Sequence, residues 1–71
     1  MQEITFNLTG EYIELLQLLK AVNIAQTGGH AKMIVEDGDV ERDGEIETRK
    51  RAKIKANETL IIGGEVMIKV V

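Results

Sequence analysis

Two glycine-containing dipeptides, Asp43-Gly44 and Gly63-Gly64, constrain the fold of this chain more than any other feature. Such dipeptides tolerate the left-handed backbone that a tight two-residue hairpin turn requires at both central positions. Val40-Glu41-Arg42 and Glu45-Ile46-Glu47 are therefore predicted to pair across the first turn. Thr59 to Ile62 and Glu65 to Val71 are predicted to pair across the second, around Gly63-Gly64. These signals commit most of the C-terminal half to antiparallel strands, with Ala56-Asn57-Glu58 turning the chain between the hairpins.

The N-terminal half reads differently. Gln2 to Leu8 alternates Ile4, Phe6 and Leu8 with Glu3, Thr5 and Asn7, the period of a half-buried strand. Thr9-Gly10 is predicted to cap a helix, with Glu11 and Glu14 near the positive end of its dipole and Lys20 in its last turn. Tyr12, Leu15, Leu16, Leu19 and Val22 recur at helical spacing, widened by Ile13 and Leu18. After a short connection at Asn23 to Gln26, Thr27 is the expected N-cap of a second helix that buries Ala31, Ile34 and Val35. Gly38 ends that helix as a left-handed residue. Phe6, Tyr12, Met33 and Met67 are assigned to the core. The expectation is one α+β domain over residues 1–71.

Composition excludes most chemistry. The chain has 71 residues, no cysteine, no serine, no tryptophan and one histidine. A Ser-His or Cys-His nucleophile and a thiolate or multi-imidazole metal site are thus impossible. A chain this short buries about 60% of its extended surface and can hardly enclose a water-excluding pocket, so no enzyme activity and no cofactor are expected. The start, Met-Gln-Glu-Ile-Thr-Phe, lacks the basic and apolar regions of a signal peptide. No apolar run approaches a membrane span, and a soluble, cytoplasmic protein is expected.

Charge lies in blocks. Residues 1–35 sum to −1, Glu36 to Glu47 to −6, and Thr48 to Val71 to +4. Arg49, Lys50, Arg51, Lys53 and Lys55 are five of the nine basic residues, in a segment without an acid. Read as a strand, Arg49, Arg51, Lys53 and Lys55 share one face, and Lys50, Ala52, Ile54 and Ala56 the other. Cations about 6.5 to 7 Å apart approach the spacing of successive phosphates on a nucleic acid. Lys and Arg also protect exposed sheet edges, but four on one face exceeds that need. The local field argues for a polyanion although the net charge is −3.

Thr27-Gly28-Gly29-His30-Ala31-Lys32 is a second candidate. Unpaired N–H groups at a helix start, with two glycines, let a phosphate oxygen approach, and His30 and Lys32 could add donors. The alternative is a glycine-rich turn that lets two helices cross closely, and His30 alone reads as a solvated first-turn residue. No P-loop pattern is present. The acidic block reads as a solvated face that repels nucleic acid and orients the ligand. With Phe6 and Tyr12 assigned to the core, stacking of bases on aromatic platforms is not expected, so recognition should rest on backbone and shape.

The order of these motifs resembles a known family. Gly28-Gly29-His30-Ala31-Lys32 and Ile46-Glu47-Thr48-Arg49-Lys50-Arg51-Ala52-Lys53-Ile54 look like the alpha-L RNA-binding motif of ribosomal small-subunit protein S-four, in its small stand-alone bacterial form, the YbcJ-like proteins. The similarity spans roughly Glu11 to Val71. It implies two helices packed against a small, curved antiparallel β-sheet, and binding of structured RNA, ribosomal or transfer RNA. It also implies a site with Thr27, Gly28, His30 and Lys32 on one side and Arg49, Lys50, Arg51 and Lys53 on the other. Two alternatives stand beside it. One is a protein–protein adaptor using the acidic face, with a ribosomal or other protein partner. The other is a ubiquitin-like sulfur carrier, against which the internal position of Gly63-Gly64 argues.

Overall fold

The computed structural model describes residues 1–71, and its elements follow in the order β1 (Gln2–Phe6), β2 (Ile13–Glu14), α1 (Leu15–Ala21), α2 (Gly28–Glu36), β3 (Val40–Arg42), β4 (Glu45–Ile46), β5 (Lys53–Ile54), β6 (Thr59–Ile62) and β7 (Val66–Val70). Both hairpins form where the turn dipeptides require them. Asp43 and Gly44 have φ of 51° and 89°, and Gly63 and Gly64 have φ of 61° and 68°, the left-handed pairs of a primed turn. Register then fixes the faces. Leu60 opposes Ile68 and Val40 opposes Ile62, and all four are buried.

The main sheet has five strands in the order β1-β7-β6-β3-β4, and it is mixed rather than antiparallel. β1 runs parallel to β7, Ile4 beside Ile68 and Phe6 beside Val70. A hairpin turn announces only antiparallel neighbours, whereas a parallel partner lies across a long crossover and leaves no local signal. Here nearly the whole chain forms that crossover.

The first helix starts later than its apolar pattern suggests. Thr9-Gly10 does not cap it; Glu14 occupies the N-cap position in extended conformation and makes no side-chain capping bond. Tyr12 and Ile13 therefore lie outside the helix, and Glu11 and Glu14 outside its first turn. Ile13 and Glu14 instead form β2, antiparallel to β5, with Ile13 opposite Ile54 and Glu14 opposite Lys53. The Leu15 N–H, an orphan donor of the helix start, bonds the Ala52 carbonyl at 2.9 Å. Pairing with a distant strand thus replaces both the cap and the first helical turn. Asn23, with φ of 63°, ends α1 in the left-handed region.

α2 is capped as predicted, the Thr27 Oγ1 accepting from the His30 N–H at 3.0 Å, and Gly38 follows it with φ of 75°. One core joins the helices to the sheets: Leu15, Leu18 and Leu19 of α1, Ala31 and Val35 of α2, and Val40, Ile54, Leu60, Ile62, Ile68 and Val70 of the strands, with Ala25 and Ala52. Met33 is not among them; it is 60% exposed on α2, because Ala31 and Val35 already define the buried stripe. No helix is long and apolar enough to cross a membrane.

Candidate nucleic-acid interface

The basic segment is not one regular strand. Arg49 to Ala52 forms a turn, the Ala52 N–H bonding the Arg49 carbonyl at 3.2 Å, and only Lys53 and Ile54 are strand. Buried Ala52 and Ile54 anchor the segment beneath α1 and β2, so alternation survives from Arg51 onward: Arg51, Lys53 and Lys55 are exposed. The turn instead pairs Arg49 and Lys50 with carboxylates. Lys50 Nζ reaches Glu36 Oε2 at the end of α2 at 3.0 Å, and this ion pair holds the Glu36 carboxyl below its usual range. Ala56, assigned to the core-facing side, is exposed.

Arg49 folds back on Glu47. That carboxylate is only 8% exposed, so the acidic block is not a uniformly solvated face. Glu47 accepts the Arg49 backbone N–H at 3.0 Å, Arg49 Nε and Nη2 at 3.1 Å each, and Arg42 Nη1 at 3.1 Å. The Arg49 side-chain bond is foremost in bringing the Glu47 carboxyl down to about 2, although burial pulls the other way.

Arg42 is the knot of this region. Its Nε and Nη2 donate to Glu58 at 2.5 and 2.8 Å, Nη2 also to the Lys53 carbonyl at 2.8 Å, and Nη1 to Glu47. The bond to Glu58 is the main cause of its raised pKa. Glu58 in turn accepts the Lys55 N–H at 3.1 Å and is held below its usual range, chiefly by Arg42. One guanidinium fork therefore ties β3, the β4–β5 loop, β5 and the start of β6 together. Two arginines meet two carboxylates, so the knot is charge-balanced.

Around it lies a concave groove of about 490 Å³ lined by Arg42, Arg49, Arg51, Ala52, Lys53 and Lys55, with no acid in its wall. Arg42 and Arg49 also border a neighbouring recess of about 400 Å³ whose other walls are Asp43, Glu45, Ile46 and Glu47. Because the charges of Arg42 and Arg49 are already matched, the uncompensated cations of the groove are Arg51, Lys53 and Lys55. Tyr12 stands beside them. It is 42% exposed rather than in the core, and Lys53 Nζ lies 5.0 Å from its ring centroid.

The Thr27–Lys32 cluster is separate from this groove. Gly28 and Gly29 are exposed with no neighbour crowding a Cβ position beyond Thr27 itself, and the His30 Nδ1 accepts from the Gln26 N–H at 3.4 Å. Gly28, Lys32 and Glu36 follow one another at helical spacing along one side of α2, about 12 Å from end to end. Glu36 meets Lys50, so the glycine turn and the Lys50 ion pair lie at the two ends of that stripe.

A family model described as S4 domain matches residues 6–71. This chain belongs to the S4 domain family. The YbcJ proteins of Escherichia coli (strain K12) and Shigella flexneri are each 42% identical to it over 53 residues, covering 75% of this S4 domain chain and 76% of each relative. The solution structure of YbcJ from E. coli, described as revealing an alfaL motif involved in RNA-binding, superposes with a TM-score of 0.68 at 39% identity. That superposition covers 92% of this chain and 85% of the other.

Sequence reasoning passed over Arg42, Glu47, Glu58 and Tyr12 in this S4 domain. A signal existed for Arg42: two residues after apolar Val40 in the predicted strand, it shares that core-facing side, and a cation there requires partners. No comparable signal marked Tyr12, whose helical spacing to Leu15 and Leu16 pointed inward.

Proposed function

We propose that this S4 domain is a non-catalytic RNA-binding domain that docks on the phosphate backbone of structured RNA, ribosomal or transfer RNA foremost. The observation that carries the reading is the groove of Arg42, Arg49, Arg51, Lys53 and Lys55, free of acid in a chain of net charge −3. The similarity to a YbcJ structure whose motif is involved in RNA-binding supports it. Arg51, Lys53 and Lys55 contact phosphates directly, while Arg49 engages one with the part of its guanidinium not taken by Glu47. Lys50 and Lys32 continue the surface along α2 toward Thr27 and His30, which close the cap between them, and Gly28 and Gly29, whose first-turn N–H groups take a further phosphate.

Crosslinking to a structured ribosomal RNA fragment, with the crosslinked peptides mapped, tests the assignment. Crosslinks concentrated on residues 49–55 are expected, and crosslinks scattered over the sheet away from this segment would refute it. The acidic recess with half-exposed Ile46 favours one other reading, a protein partner with a basic surface. Capture from lysate separates the two: complexes that vanish with nuclease support RNA, and complexes that survive it support the adaptor.

A further inference from the structure

We propose that Tyr12 is a stacking platform for one unpaired base, so that the domain selects structured RNA at a bulged or splayed nucleotide over continuous duplex. This rests on the RNA-binding reading above and names the feature of the RNA that the site reads.

Extended backbone at Ile13-Glu14 divides the side chains between two faces. Ile13 turns inward, packs against the core and pairs with buried Ile54. Tyr12 is exposed, and Glu14 lies opposite Lys53. Tyr12 directly precedes this pairing, and the Lys53 ammonium reaches its ring. Lys53 therefore joins the ring to the groove: it lines the groove and holds its ammonium 5.0 Å from the ring centroid.

Tyr12 is the sole tyrosine, and the other aromatic, Phe6, packs against the core. A large ring left 42% exposed, where Ile13 already supplies the buried contact, contributes little to packing. A nucleotide carries its phosphate and its base on opposite sides of one sugar, so a touching cation and ring can engage both at once. An exposed cation–π contact is weak, and Lys53 can leave the ring for a phosphate as a base takes its place. A base inside a duplex presents no free face; an unpaired one does.

Two hairpin RNAs, identical except for a single-nucleotide bulge, provide the test. With one tyrosine and no tryptophan, intrinsic fluorescence reports Tyr12 alone. The bulged RNA should bind about fivefold or more tightly than the paired one and quench the tyrosine emission. Tyr12→Leu keeps an apolar side chain without an aromatic face and should abolish the preference while leaving the paired-RNA affinity within about twofold. Tyr12→Phe should retain the preference. Equal affinity of the native chain for both RNAs, or an undiminished preference in Tyr12→Leu, overturns the stacking role and leaves the phosphate groove standing. Failure to bind either RNA at low salt overturns the RNA-binding reading, and this one with it.

Discussion

Replacing Glu47 with glutamine should weaken the fold and strengthen polyanion attraction at once. The substitution keeps the shape of the side chain but removes the charge on which Arg49, its backbone N–H and Arg42 converge. The native carboxyl titrates at about 2 instead of its ordinary 4.5, mainly because Arg49 donates to it. At about 1.4 kcal/mol for each tenfold change in proton affinity, the charged form contributes about 3 kcal/mol at neutral pH. A neutral amide forfeits most of that, which in a domain of this size lowers Tm by about 12–24 °C. The pH dependence has a definite sign. A carboxyl with a lowered folded pKa stabilises above its unfolded pKa and loses that effect as pH falls through the folded value. The gap between native chain and Glu47→Gln should therefore be full above about pH 5 and close between about pH 4.5 and 2. Thermal melts by circular dichroism at pH 7 and pH 2.5 measure it. A Tm unchanged at pH 7, or a gap that persists undiminished at pH 2.5, would refute the assignment of this carboxylate as the anchor of the basic turn. In the folded variant at low temperature, Arg49 and Arg42 are no longer fully matched, so RNA affinity at low salt should rise and its salt dependence steepen by about one phosphate contact.

Other outcomes follow from the same geometry. Arg51→Gln combined with Lys53→Gln should reduce RNA affinity about tenfold or more and flatten its salt dependence by about two contacts, whereas Arg49→Gln, whose charge Glu47 already matches, should cost less binding and more stability; equal binding losses in titration would contradict this ranking. Thr27→Ala removes the α2 cap and should cost about 1 kcal/mol in urea denaturation, while Thr9→Ala, at a position the sequence offered as a cap and the structure does not use, should change stability by less than about 0.5 kcal/mol.

What was legible in the chain was local. Asp43-Gly44, Gly63-Gly64, Thr27 and Gly38 each act through their own backbone or a partner three residues away, and each stands where the sequence places it. The cluster of five basic residues was legible as composition. Its shape was not, because Glu47 captures Arg49 and Glu36 captures Lys50, bending the chain at positions where alternation alone implied a straight strand. The same limit governs α1. The apolar spacing through Tyr12 and Ile13 is helical, but Ile54 and the Ala52 carbonyl compete for this backbone from 37 or more residues away. Non-local pairing prevailed over local periodicity, and in doing so it turned Tyr12 out beside the cations. The parallel partner of β1 was hidden for the same reason.

The central claim is that three uncompensated cations, Arg51, Lys53 and Lys55, carry the electrostatic part of RNA recognition. Fluorescence anisotropy of the chain against a structured ribosomal RNA fragment, repeated from low to physiological salt, tests it most directly. Affinity falling with a log–log slope of about −2 to −3 is the predicted result, two to three phosphates being neutralised. Binding indifferent to salt, or no binding at low salt by the folded chain, would contradict it.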